Sequence, residues 1–206
     1  MNTSIAVVDY GHGNFGSILN MLKKIGSKGV LVSDPNHLEH AEKIILPGIG
    51  AFDSGMQAIE ERGFREALIN KVTDEKTPLL GICLGMQMLG VSSEEGVLNG
   101  LGLISGHCRR FPQSSDMRLK VPHMGWTEVA PSENALLFKG IDMPPRFYFV
   151  HSYYFECDNQ SEVAATATYG VAYSAAVQRD NVFGVQFHPE KSHRFGMHLL
   201  RNFVSL

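Results

Sequence analysis

The 206-residue chain has little of what would mark it for export, for a membrane or for nucleic acid. Its three cysteines, Cys83, Cys108 and Cys157, are an odd count without metal-ligand spacing. That argues against a disulfide framework, fits a reducing cytosol and leaves room for a reactive thiol. No metal is expected, since His188, His193 and His198 recur at a spacing of five that does not stack on one helical face. Charge of one sign is never concentrated: 18 Lys and Arg stand against 21 Asp and Glu, with no long like-charge run. Nucleic acid is therefore not an expected partner. Long hydrophobic runs are missing too. The uncharged stretch 77–93 is broken by Pro and Gly and falls short of the roughly 20 apolar residues of a membrane span. Met1-Asn2-Thr3-Ser4 puts no basic region before the short apolar run that ends at Asp9, which predicts a first strand rather than a signal peptide. The expectation is a soluble, cytoplasmic protein with no membrane contact.

What is present is a composition 44% hydrophobic, enough to bury a sizeable core in one domain over residues 1–206. A strand over 4–9 leads through a Gly-rich turn to Phe15, Ile18, Leu19, Leu22 and Ile25 at helical spacing, stopped by Gly26. Strands are predicted over 30–33, 43–46 and 78–82, with one or two helices around Met56, Ile59, Phe64 and Leu68 broken near Gly63. A further helix opens over 84–89. This alternation is the pattern of a parallel sheet covered on both faces. From Gly102 onward short strands are predicted over 103–110, 121–129, 147–154, 163–168 and 182–187, then a last helix over 192–204. The fold class is α/β, a three-layer domain with a mainly parallel central sheet and additional antiparallel strands.

The sharpest chemical signal is Gly81-Ile82-Cys83-Leu84-Gly85, where an apolar strand meets a cysteine and turns into a helix. Glycines on either side let the backbone close tightly while Cys83 sits at the apex, a nucleophile elbow with Cys for Ser. The helix N-terminus beneath it favours a thiolate and aims N–H groups at a developing oxyanion. A buried, inert cysteine is the competing reading. The candidate base is His188, in Phe187-His188-Pro189-Glu190 at a strand end, with Glu190 two residues on to orient it. His123 and His151 read as structural or substrate-contacting. Gly11-His12-Gly13-Asn14-Phe15-Gly16, with Asp34 about 20 residues on, also matches a dinucleotide-binding fingerprint. Its alternative is a turn whose glycines pass close to neighbouring backbone.

With these residues in hand the chain resembles the class I glutamine amidotransferases, whose Cys-His-Glu triad matches Cys83, His188 and Glu190 in order and spacing. Within that class it is similar to the glutaminase subunits of imidazole glycerol phosphate synthase, through DYGHGN at 9–14, LPGIGAF at 46–52, SSEEG at 92–96, PHMGW at 122–126, YFVHSYY at 148–154 and GVQFHPEKS at 184–192. The resemblance implies that Cys83 attacks the side-chain amide of glutamine, that His188 protonates the leaving ammonia and then activates water, and that Glu190 steadies His188. It implies an oxyanion hole from Gly48, Ile49, Gly50 and the N–H of Leu84, and glutamine contacts from Gln87, Glu95, His151, Ser152 and Tyr153. It implies no cofactor.

The partner implied is a cyclase subunit of (β/α)8 type, forming a heterodimer and receiving the ammonia through a tunnel to make imidazole glycerol phosphate and AICAR in histidine biosynthesis. Asn14, Met124, Trp126, Tyr148 and Lys191 match positions near that interface. Thr127 stands where the family usually reads Asn after PHMGW, and His12 and Gly16 also depart from the expected pattern. A paralogue supplying ammonia to a sugar-amidating synthase of surface-polysaccharide biosynthesis would carry the same triad. A non-catalytic module on the same scaffold is the third reading.

Overall fold

The computed structural model describes residues 5–112, 119–141 and 144–206. The first half runs β1 (Ile5–Val8), α1 (Phe15–Lys24), β2 (Gly29–Val32), β3 (Lys43–Gly48), α2 (Phe52–Glu61), α3 (Phe64–Thr73), β4 (Leu79–Cys83) and α4 (Leu84–Met88). Ser4, the first residue of the expected opening strand, lies outside the described residues. The break at Gly63 is real: its φ of 71° is left-handed, which separates α2 from α3. The second half contributes β5 (Ser92–Ser93), β6 (Gly106–Arg110), β7 (His123–Glu128), β8 (Ala130–Pro131), β9 (Arg146–His151), β10 (Tyr153–Cys157), β11 (Val163–Tyr169), β12 (Val171–Arg179), β13 (Val182–Val185) and α5 (His193–Val204).

Among the described residues the main sheet has the order β2-β1-β3-β4-β13-β12-β10-β6-β5, with β11 and β8 branching from β12. From β2 to β13 every pairing is parallel; β12 pairs antiparallel with β13, β10 and β11. The parallel strands are buried on both faces, and residue parity sorts them. Ile5, Val7, Ile45, Leu80 and Ile82 face α1 and α5 through Ile18, Leu22, Leu199 and Phe203. Ala6, Val8, Ile44, Leu46 and Leu79 face α2, α3 and α4 through Phe52, Ile59, Phe64, Leu68 and Met88. Full burial of such side chains is worth about 1.5–3 kcal/mol each, which makes these two layers the main support of the elbow at the end of β4.

Three sequence expectations change. Residues 147–154 are two strands, β9 and β10, which lie in different sheets, because among the described residues β9 pairs only with β7 in a separate ribbon. β12, absent from the expected list, occupies the junction between the parallel and antiparallel parts. The dinucleotide reading fails on topology: β1 lies between β2 and β3, whereas that fold places its first strand between the second and fourth. Nor does its glycine turn pass close to backbone: a Cβ at Gly11 would meet the Arg62 side chain, one at Gly13 the Phe15 ring, and one at Gly16 nothing within 4 Å among the described residues.

Candidate active site

Cys83 closes β4 with φ 55° and ψ −110°, a backbone conformation that L-residues rarely adopt and that costs about 1–3 kcal/mol. The flanking glycines make it possible. A Cβ on Gly85 would lie 1.8 Å from the Leu46 carbonyl oxygen, and one on Gly81 2.7 Å from that of Gly85. The helix that follows is only five residues long, so its dipole is weak and its contribution is mainly the free N–H groups of its first turn.

The β3–β4 register sets Gly48 beside Cys83. Gly48 has no room for a side chain, since its Cβ would approach the Tyr10 hydroxyl and Gly85 N within 2.7 Å, and Gly50 has φ 102°. Ile49, Gly50, Cys83, Leu84, Gln87, Glu95, His151, Ser152, Tyr153, His188 and Lys191 all line one cavity of about 310 Å³, joined by Pro122 and Val150. The structure thus gathers nearly all the sequence-predicted substrate residues around the thiol.

His188 follows β13, the neighbour of β4, so base and nucleophile leave adjacent parallel strands at the same end. Its Nδ1 is 2.7 Å from Glu190 Oε1, and both side chains are almost fully buried. Nε2 makes no hydrogen bond among the described residues and is left for the thiol and its substrate. Burial works against the imidazolium, but Cys83 and Glu190 outweigh it and hold the His188 pKa up at about 10. The turn is clamped from β9: His188 N donates to the Tyr148 carbonyl (2.9 Å), Tyr148 N donates to Ser192 Oγ (3.0 Å), and that hydroxyl donates to the His188 carbonyl (2.7 Å). Ser192 is a positioning residue that the sequence reading passed over.

Other predicted contacts are partly committed to the protein. Glu95 Oε2 accepts the N–H of Phe52 at the start of α2 (2.9 Å), leaving its other oxygen for a ligand. Gln87 Nε2 donates both to the Tyr153 carbonyl (3.0 Å) and to Gln186 Oε1 (3.1 Å). His151 Nδ1 donates to the same Tyr153 carbonyl (2.8 Å), and its Nε2 is 3.1 Å from His123 Nδ1. Burial lowers both imidazoles, His123 to about 4 and His151 to about 3, so both are neutral. Gln186, also missed, is fully buried and donates through Nε2 to Cys83 Sγ at 3.8 Å. Its signal was available: a lone Gln in the apolar run Val182 to Phe187 is a buried polar group in need of partners.

The expected docking residues fall largely on one face. Trp126 and Tyr148 are cross-strand partners on the outer side of the β7–β9 ribbon, with ring centroids 6.2 Å apart. Lys191 Nζ lies 5.6 Å over the Tyr148 ring, and Trp126 stacks on His193. Met124 is 61% exposed and Trp126 40%. Asn14 immediately precedes α1, which packs against the 189–191 turn.

Residues 6–206 match the family model described as glutamine amidotransferase class-I. The chain is 50% identical over 202 residues to imidazole glycerol phosphate synthase subunit HisH 2 of Pseudomonas aeruginosa, covering 98% of this chain and 99% of that one. It is 50% identical over 203 residues to subunit HisH of Bdellovibrio bacteriovorus, covering 98% and 100%. Among solved structures, one described as a glutamine amidotransferase superposes with a TM-score of 0.75 at 20% identity, covering 98% of this chain and 97% of that one. PurLQS from Thermotoga maritima does so with 0.72 at 21%, covering 100% and 99%. The elbow, the histidine behind it and the full-length likeness agree, and the chain belongs to the class I glutamine amidotransferases, in the branch of the imidazole glycerol phosphate synthase HisH subunits.

Proposed function

We propose that the chain releases ammonia from glutamine with Cys83 as nucleophile, His188 as acid and base and Glu190 as its orienting carboxylate. The observation that carries this is a buried His188–Glu190 pair 2.7 Å apart facing the same cavity as a strained Cys83 elbow. The thiol proton passes to His188 Nε2 and the thiolate attacks the amide carbon of glutamine. Negative charge builds on the amide oxygen, which the N–H of Leu84 and the Gly48 to Gly50 turn receive. His188 then gives its proton to the departing ammonia, leaving a thioester. Water, deprotonated by His188, releases glutamate and restores the thiol. Glutamine binds against Glu95, Gln87 and the His151 to Tyr153 bend.

The ammonia goes to a cyclase subunit of (β/α)8 type docked on the Met124, Trp126, Tyr148 and Lys191 face beside Asn14, which forms imidazole glycerol phosphate and AICAR in histidine biosynthesis, in the cytoplasm. The test is glutamate release by the chain, alone and with that subunit and its nucleotide ligand. Cys83→Ala and His188→Ala each lower turnover by at least about 10²-fold while the thermal transition persists. Wild-type turnover in either variant removes the triad, and turnover indifferent to the subunit removes the histidine-pathway partner.

A further inference from the structure

The Tyr153 carbonyl oxygen can only accept hydrogen bonds, and it receives two, from Gln87 Nε2 and His151 Nδ1. That fixes the direction of everything attached to it. Because Gln87 must turn its NH2 toward this carbonyl, the same nitrogen meets Gln186 through the Gln186 carbonyl oxygen, and the Gln186 NH2 is left pointing at Cys83 Sγ. On the other side, a neutral His151 that donates through Nδ1 accepts through Nε2. His123 Nδ1 therefore donates to His151, and Thr127 Oγ1 donates to His123 Nε2 across 2.9 Å. One obligate acceptor thus orients a chain of side chains that runs from half-buried Thr127 to the sulfur.

The sulfur has two polar neighbours with opposite preferences. A protonated thiol can donate to the Val150 carbonyl at 4.0 Å, a poor companion for a thiolate. The Gln186 N–H serves only a sulfur that accepts, and serves it better when charged. We propose that Gln186 is a catalytic hydrogen-bond donor to the Cys83 thiolate, locked in that orientation by Gln87 and the Tyr153 carbonyl. This rests on Cys83 being the nucleophile. On ionisation the proton moves to His188 Nε2, the bond to Val150 is given up and the bond from Gln186 tightens, so the amide stabilises the reactive form and the thiolate that leaves when the thioester is hydrolysed.

The test is alkylation of Cys83 by iodoacetamide across pH, read by mass spectrometry at that residue, in the full chain and in Gln186→Met and Gln186→Glu, with glutamate release alongside. Gln186→Met removes the donor without adding charge and carries the test, whereas Gln186→Glu keeps the oxygen that Gln87 needs but sets a negative charge beside the sulfur and so gives the larger effect. The other titratable groups around the sulfur, His188, Glu190, His151, Glu95, Lys191 and Tyr10, are unchanged in both variants. At neutral pH alkylation slows about tenfold in Gln186→Met, the size expected for a hydrogen bond to a charged group, and by more in Gln186→Glu, and in both the profile moves to higher pH. Wild-type alkylation rates and an unmoved profile in a folded variant overturn the proposal.

A measurement on the unaltered chain stands apart from folding of the variants. The Gln186 side-chain amide proton, followed by NMR, moves downfield with the same midpoint as Cys83 alkylation, and a resonance indifferent to that ionisation also overturns it. Glutamate release that survives Cys83→Ala would instead remove the nucleophile on which the inference rests.

Discussion

At the residue scale, the site is a set of groups each held against its own preference. Cys83 takes a positive φ, and His188 is a buried imidazole whose companion Glu190 has one oxygen without a partner among the described residues. The sequence exposes the first of these, because glycine on both sides of a strand-end cysteine has a steric cause that the Leu46 carbonyl makes explicit. It shows His188 and Glu190 only as a pair at a strand end, since nothing in a tripeptide reports burial, and burial is what gives their 2.7 Å contact its strength. The raised His188 pKa has a stability consequence. The imidazole's ordinary value is 6.5 and its folded value about 10, so the stabilisation is complete below about 6.5 and is lost as pH rises through about 10. Glu190→Gln removes one of the charges that raise it. We expect the decline in thermal midpoint between pH 7 and 10 to be shallower in this variant than in the wild type, and turnover to fall by about 10²-fold or more. Parallel declines across that range count against Glu190 as the charge that holds the imidazolium.

At the scale of elements, the β7–β9 ribbon brings residues into the site that the sequence could list but not place. Alternation along β9 buries Phe147, Phe149 and His151, and the same odd parity continues into β10 at Phe155 and Cys157. Because the phase does not slip at Ser152, the pattern gives no sign that the chain changes sheets there. β12 was illegible for another reason. Its centre, Ser174 to Val177, is small-residue-rich and buried on both faces, so it shows neither alternation nor high strand propensity. On the inner face of the ribbon, His123 and His151 are held neutral well below their ordinary 6.5. A depressed imidazole contributes stability that is present above about 6.5 and is lost as pH falls through its folded value, here about 4 and about 3. Each proton taken up on unfolding steepens the loss by up to about 1.4 kcal/mol per pH unit. His123→Gln keeps an amide near His151 but cannot titrate. Its thermal midpoint therefore falls less steeply than that of the wild type between pH 6.5 and 4, although its stability at pH 7 is lower by about 1–3 kcal/mol for the disturbed hydrogen bonds. Identical acid slopes would show that His123 takes up no proton on unfolding.

At the scale of the whole molecule, the alternation of strand and helix up to α4 made the parallel half legible, and the strand-rich second half was legible as composition but not as topology. The ribbon's placement has a consequence that spans the molecule. Tyr148 offers its ring to the outer face beside Trp126 and Lys191, while its backbone N–H and carbonyl hold the Ser192–His188 clamp. The proposed docking face is thus one residue's thickness from the base, with the strand itself as the shared part. On that proposal Trp126 is the anchor: it is large, 40% exposed, and stacked on His193 with ring planes 3° apart. A pre-positioned aromatic loses little side-chain freedom on binding, and such residues dominate interface energies at about 2 kcal/mol or more each, roughly 30-fold in affinity. Trp126→Ala is accordingly expected to weaken association with the proposed (β/α)8 subunit by about that factor, measured by calorimetric titration, while the thermal midpoint of the chain alone moves by only a few degrees. Met124→Ala, on the same strand but without a stacking partner, costs less. Undiminished affinity in Trp126→Ala would place the docking surface elsewhere on the chain, and a large loss of thermal stability would make Trp126 part of the ribbon's own packing.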